Sequence, residues 1–197
     1  MNVIGLLRHG PTVWNRDKLI QGQRDIPLDH STFDPKPWRE LLAVHGPWDR
    51  IIASPLSRAH ATARALFPDR SIELDDDLRE QDWGHWTGLT IRGLRQAVPG
   101  AVEEQENRAW DFTPPAGESR RRVLARALNA LHDATRERDH QRILMVTHFG
   151  VIMAVLNHLL GCPFLPDNSA PIAKRALHLV GQDQSGLHVI GINLSIP

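Results

Sequence analysis

The sequence holds a single cysteine in 197 residues, no excess of either charge, and no apolar run long enough to span a bilayer. Each shortage excludes something. Cys162 alone cannot form an intrachain disulfide, which fits a reducing compartment, and the chain is read as cytoplasmic. Lys+Arg and Asp+Glu balance at 23 each, so the basic surplus that nucleic acid or an anionic membrane surface selects is missing. Any cationic site must be local, built by a few converging arginines. The first apolar run, Val3 to Leu7, stops at Arg8, too soon for a signal-peptide core or a membrane helix. What is present, 41% hydrophobic and 23% charged residues, suits one domain over residues 1–197 with a substantial core.

Three continuous apolar runs read as strands buried on both faces: Val3 to Leu7, Arg50 to Ala53, and Arg142 to Thr147. Helical periodicity lies between them. Ser57 to Phe67 places Ala59, Ala63 and Leu66 on one face. Glu118 to Arg138 does the same with Val123, Leu124, Ala127, Leu128, Leu131 and Ala134, opposite a stripe of arginines and behind a capping Ser119. Val151 to Leu160 is apolar nearly all round and predicts a buried helix. Ala176 to Val180 and Leu187 to Ile192 add two strands. Strands alternating with helices predict an α/β fold, a three-layer α/β/α sandwich with a mainly parallel central sheet. The irregular stretch 88–117, with Pro99-Gly100, Pro114-Pro115 and an acidic run at Glu103, Glu104 and Glu106, reads as a short insertion capping the active site at the carboxyl edge of the sheet.

Polar residues follow three of these strands directly. Leu7 leads into Arg8-His9-Gly10, Ala53 into Ser54-Pro55-Leu56-Ser57-Arg58, and Val146 into Thr147-His148-Phe149-Gly150. In a parallel sheet those points share an edge, near helix N-termini that favour anions. Two arginines and two histidines at one point suit a phosphoryl group. Arginine's planar fork binds two oxygens at once and stays charged. A neutral histidine is a competent nucleophile, and a second can donate to an oxygen. A carboxylic acid must still protonate the leaving alkoxide, and Glu80, in Leu78-Arg79-Glu80-Gln81-Asp82-Trp83-Gly84, is the candidate.

These segments resemble the histidine phosphatase superfamily, on the phosphoglycerate-mutase-like branch that includes cofactor-dependent mutases, broad phosphatases and α-ribazole phosphatases. The likeness runs in order along nearly the whole chain. It begins with Leu7-Arg8-His9-Gly10-Pro11-Thr12-Val13-Trp14-Asn15 and Gln21-Gly22-Gln23-Arg24-Asp25-Ile26-Pro27-Leu28. Ser54-Pro55-Leu56-Ser57-Arg58-Ala59 with Thr62-Ala63 follows, then Leu78-Arg79-Glu80 with Gly84-His85-Trp86-Thr87-Gly88. Pro115-Ala116-Gly117-Glu118-Ser119 and Val146-Thr147-His148-Phe149-Gly150 complete it. A lone Arg-His-Gly is weak; six motifs in sequence are specific. The resemblance implies that His9 becomes a phosphohistidine, that Arg8, Arg58 and His148 hold the phosphoryl oxygens, and that Glu80 is the general acid and base. It further implies that Asn15, Gln21, Gly22, Thr147 and Phe149 line the phosphate site, with no metal and no cofactor. One position departs: the usual Glu after Arg-His-Gly is Pro11 here, which removes a carboxylate and a backbone donor.

Blander roles fit the other conspicuous residues. Asp75-Asp76-Asp77 reads as a solvated turn, and Arg120-Arg121-Arg122 as an exposed helix start. Trp83, Trp86 and Trp110 divide evenly between packing and substrate contact. The expected ligand is a small phosphorylated metabolite with a neutral or partly apolar leaving group; nucleic acid and membrane are not expected, and a homodimer is left open. Hydrolysis is the preferred reading over phosphoglycerate-type isomerisation, because 88–117 is short and net acidic. A non-catalytic phospho-ligand binder is the rival from another class, though such proteins usually lose the nucleophile or acid retained here.

Overall fold

The two faces of one strand set the architecture. In the computed structural model, which describes residues 1–136 and 139–195, β1 (Asn2–Arg8) is buried along nearly all its length. Successive side chains on a strand point to opposite sides. Ile4 and Leu6 enter one hydrophobic cluster, while Val3 and Leu7 enter another. β1 pairs in parallel with β4 (Arg142–Thr147) and antiparallel with β5 (Leu177–Asp183). Beyond β4 lie β2 (Arg50–Ala53) and β3 (Glu73–Leu74), and beyond β5 lies β6 (Gly186–Leu194), giving the order β3-β2-β4-β1-β5-β6. Four strands are parallel, as expected. β5 alone runs against them, and β6 turns back along it, because only Gln184 and Ser185 separate the two and so short a connection can join strands only as a hairpin.

Helices cover both faces and make the three layers. On one side, α6 (Arg120–Thr135) and α7 (Phe149–Leu159) pack Val123, Ala127, Leu131, Ile152 and Val155 against Ile4, Leu6, Ile143 and Met145. The helix predicted over Glu118 to Arg138 is thus slightly shorter at its start, and positions 137–138 lie outside the described residues. On the other side, α2 (Lys36–His45) and α3 (Ser57–Leu66) pack Trp38, Leu42, Ala59 and Ala63 against Val3, Leu7, Leu144 and Val146. Sequence patterning assigned no helix to Lys36–His45. Trp48 also fills this side, with its Nε1 donating to the Leu42 carbonyl at 2.9 Å. It fits because β1 carries a glycine there: a Cβ on Gly5 would lie 2.6 Å from the indole.

Residues 88–117 form α4 (Ile91–Ala97), α5 (Ala101–Glu106) and a single turn at Ala109–Asp111. Their acidity is partly internal, since Arg95 pairs with Glu103 at 2.6 Å and Glu106 at 3.3 Å. Trp86, Leu94, Val102 and Phe112 make a small core of their own, with Ile20, Trp83 and Ile91 packed on it. Trp110 stacks edge-on to Phe164 at 5.1 Å and joins the main core. Trp86 and Trp110 are therefore packing residues, and Trp83 alone both packs and faces a cavity. Asp75 caps the turn at Asp76–Leu78 through the Asp77 N–H, and Asp76 pairs with Arg79. Among the described residues no helix is long and apolar enough to cross a membrane.

Candidate active site

Strand register brings the polar segments together. Arg8 lies beside Thr147, and Ala53 beside Val146. The ladder runs one residue further on each side: His9 N–H donates to the Thr147 carbonyl at 2.9 Å, and Ser54 N–H to the Val146 carbonyl at 3.0 Å. α3 and α7 begin just beyond, so Arg58 occupies the first turn of one helix and His148 the N-cap of the other. Their partial positive ends face the same edge of the sheet.

Hydrogen bonds define both imidazoles. His9 Nδ1 lies 2.6 Å from the Gly10 carbonyl, which can only accept. The ring proton is therefore on Nδ1, and the Nε2 lone pair is free. Ser54 Oγ accepts the Leu56 N–H and lies 2.8 Å from His148 Nε2, so the hydroxyl is free to give its own proton to that nitrogen. The His148 ring proton then sits on Nδ1, which is buried without a partner. The two rings are 5.1 Å apart, centre to centre. Among the described residues, five buried side-chain atoms lack a hydrogen-bond partner, and four belong to this site: Arg8 Nε, Arg58 Nε, Gln21 Oε1 and His148 Nδ1. Three of the four are donors, and buried donors without partners are costly unless an acceptor joins them.

Burial and the positive charges of Arg8 and Arg58 hold the His9 pKa well below the ordinary imidazole value, against the pull of the Gly10 hydrogen bond. Burial lowers that of His148 as well, assisted by His9, Arg58, Arg126 and Arg8. Both rings are thus neutral at neutral pH. Free histidine takes up a proton near pH 6.5, and these two resist it in the folded state. Below about pH 6.5 the unfolded chain binds more protons, so stability falls as pH drops, by up to about 1.4 kcal/mol per pH unit for each ring. Above that pH they add no slope. Urea unfolding between pH 7.5 and 5.5 should show this loss, and a His148→Gln variant should show a clearly shallower one.

Glu80 reaches the same place from the far side. One carboxylate oxygen accepts the Gln81 N–H at 2.9 Å and the other the Gly150 N–H at 3.2 Å, at the start of α7. Gly150 has no side chain because there is no room for one: a Cβ there would collide with Glu80 Oε1. Gly150→Ala should push that carboxylate aside and lower kcat by about 10- to 100-fold, as small misplacements of reacting groups do. Steady-state phosphate release measures it, and unchanged kcat would mean that the carboxylate position is not critical.

Arg8, His9, Asn15, Gln21, Gly22, Arg58, Glu80 and Phe149 all line one cavity of about 410 Å³. Asn15 turns its amide oxygen to the Thr12 N–H at 3.1 Å within the first turn of α1 (Val13–Arg16). Gly22 adopts φ +51, and its carbonyl accepts from Arg58 Nη2 at 2.8 Å. His148 is fully buried beside His9, the two ring centres 5.1 Å apart. Thr147 does not reach the cavity. Alternation along β4 puts its side chain on the face of Ile143 and Met145, where its hydroxyl donates to the Leu78 carbonyl at 2.7 Å. Pro11 lines a neighbouring cavity of about 580 Å³ that shares Arg8, His9, Asn15 and Lys174 with the first. Glu80 is on the first alone.

Sequence reading missed the frame that aims Glu80. Arg126, in the arginine stripe of α6, points inward. It pairs with Glu118 at 2.9 Å through two nitrogens and donates to the carbonyls of Asp77, Arg79 and Glu80. Glu118 in turn accepts from Gln81 through its carbonyl and receives the Asp82 N–H on its carboxylate. Arg120 is a second correction. Arg121 and Arg122 are exposed as expected, but Arg120 is half-buried and lines the cavity.

A sequence profile of the histidine phosphatase superfamily (branch 1) matches residues 4–195. The chain is 36% identical over 170 residues to glucosyl-3-phosphoglycerate phosphatase of Mycolicibacterium vanbaalenii, covering 80% of this chain and 74% of that protein. It is 32% identical over 165 residues to a probable phosphoglycerate mutase of Enterobacter, covering 80% and 74%. The structure of a mycobacterial glucosyl-3-phosphoglycerate phosphatase complexed with VO3 superposes with a TM-score of 0.82 at 25% identity, over 99% of this chain and 100% of that one. The chain belongs to branch 1 of the histidine phosphatase superfamily.

Proposed function

We propose that the protein hydrolyses a small phosphomonoester through a phosphohistidine on His9, with residues 88–117 acting as a cap on a single domain. The observation that carries this is the ring of buried, unpartnered donors around a free imidazole lone pair. Arg8 Nε, Arg58 Nε and His148 Nδ1 supply what a phosphoryl group's oxygens accept. His9 Nε2 attacks phosphorus as the P–O bond to the alcohol breaks, and Glu80 gives the leaving oxygen its proton. Water then attacks the phosphohistidine, Glu80 takes a proton from it, and the P–N bond breaks to release inorganic phosphate. The arginines neutralise the charge, so the chemistry needs no metal. The curated relative named as a phosphatase supports hydrolysis, and Arg95, a cation a mutase could have used, is taken up by Glu103 and Glu106.

The test is a trapping experiment with p-nitrophenyl phosphate in the presence of a chelator. Quenching in base, where phosphohistidine survives, should leave phosphate on His9, located by peptide mass spectrometry. Turnover no faster than that of His9→Ala would remove the enzyme reading and leave the phospho-ligand binder. Efficient isomerisation of 3-phosphoglycerate in the presence of 2,3-bisphosphoglycerate, in place of phosphate release, would make the protein a mutase.

A further inference from the structure

The cavity holds more positive charge than phosphoryl transfer uses. A phosphate dianion offsets Arg8 and Arg58. Arg120 and Lys174 remain on the same wall. Arg120 is well fixed: its guanidinium lies over the rings of Phe112 at 4.3 Å and Phe164 at 4.1 Å, and its Nη1 donates to the carbonyls of Ala109 at 3.0 Å and Phe164 at 2.9 Å. Burial draws its pKa down to about 10, which leaves it charged at neutral pH. Among the described residues it forms no ion pair. Glu106 acts on it only through its field, with no contact pair, and a half-buried, immobilised cation with no carboxylate in contact is a costly arrangement facing a cavity that a ligand enters. Lys174 is exposed and reaches the same space with its ammonium 5.3 Å from the Phe149 ring centre.

We propose that Arg120, assisted by Lys174, forms a subsite for a carboxylate on the leaving group, which makes the substrate a phosphorylated organic acid. This rests on the phosphatase reading and revises the neutral leaving group expected from sequence. The guanidinium fork matches a planar carboxylate, and its stacking on two rings reduces the entropy lost when it binds one. Trp83, Ile91 and Met153 supply an apolar wall for the carbon that joins the two charged groups. A cationic leaving group could in principle use the aromatic faces, but Phe149 already meets Arg8 at 5.9 Å and Lys174, so the local field repels it.

Three phosphomonoesters separate the alternatives: 3-phosphoglycerate, glycerol 3-phosphate and phosphocholine, compared by kcat/KM for phosphate release. The carboxylate substrate should lead the neutral one by about 10- to 100-fold, the worth of a charged hydrogen-bonded pair. Arg120→Met, which keeps an apolar stem between the two rings, should erase most of that ratio, chiefly through KM. Lys174→Met, at an exposed site where folding is not at risk, should reduce it less. Calorimetric binding of the same compounds to His9→Ala reads the preference without turnover, so it can be judged even if the phosphatase reading fails. Equal values for the three compounds, or a ratio untouched in both variants, would overturn the carboxylate subsite. His9-dependent hydrolysis of p-nitrophenyl phosphate would still stand in that case.

Discussion

Glu80→Gln should divide substrates by their leaving group. An alkyl phosphomonoester should lose about 10²- to 10⁴-fold in kcat/KM, the range that a positioned general acid supplies. p-Nitrophenyl phosphate should react almost normally in its first turnover, because nitrophenolate departs without a proton. It should then slow, since in the proposed mechanism the same residue takes a proton from the water that cleaves the phosphohistidine. The expected trace is a burst of nitrophenol equal to the enzyme present, followed by slow release, with phosphate held on His9. Glutamine keeps one acceptor for the backbone N–H groups of Gln81 and Gly150, which now bond to different oxygens of Glu80, so the urea midpoint of the variant is read beside its kinetics. Equal losses on both substrates with no burst would reduce Glu80 to a strut for the start of α7. Rapid-mixing absorbance at the nitrophenolate band distinguishes the two results.

How much of this was readable in advance follows from how each residue is held. His9, Arg58 and His148 each come within five residues of a buried apolar run, and parallel strands beginning with such runs must end at a shared edge. Their convergence was therefore legible. Glu80 follows no strand of that kind, and only its motif marked it. Arg126 could not have been singled out, because on α6 it looks like one more solvated arginine. What turns it inward is the return of the Asp77–Asp82 stretch and Glu118 across the helix, a tertiary contact with no local signature. Arg120 was misread for the same reason, since Phe112 and Phe164, which enclose it, lie eight and 44 residues away in the sequence. Thr147 is different: Arg8, beside it on the same face of the sheet, does reach the cavity, and what withholds Thr147 is the tertiary bond of its hydroxyl to the Leu78 carbonyl. α2 escaped because Pro35 and Pro37 crowd its start and its apolar face rests on Trp38, Leu41 and Leu42 alone.

Arg58 should prove to be two residues in one, a binder of phosphate and a structural bolt. It is fully buried, and two of its nitrogens donate to the carbonyls of Arg24 and Gly22, both at 2.8 Å. Asp25 in the same loop accepts the Ser57 N–H at 2.8 Å, so the start of α3 and the 21–25 loop are tied together. The remaining guanidinium nitrogen, Nε, has no partner. Arg58→Lys keeps the charge but has a single ammonium, which cannot hold two carbonyls and a phosphoryl oxygen at once. Turnover should fall by about 10²- to 10³-fold, the usual cost of losing one oxyanion donor. Each carbonyl left without its donor should cost a further 1–3 kcal/mol or so in stability. Arg58→Met should destabilise less than a buried unpaired charge would, yet be at least as inactive, because it removes the charge proposed to stabilise phosphoryl transfer. Comparing urea midpoints with kcat/KM for both variants separates the two roles. Activity that tracked stability alone, with Lys and Met falling on one line, would show that Arg58 only fastens the loop and leaves the phosphate to Arg8 and His148.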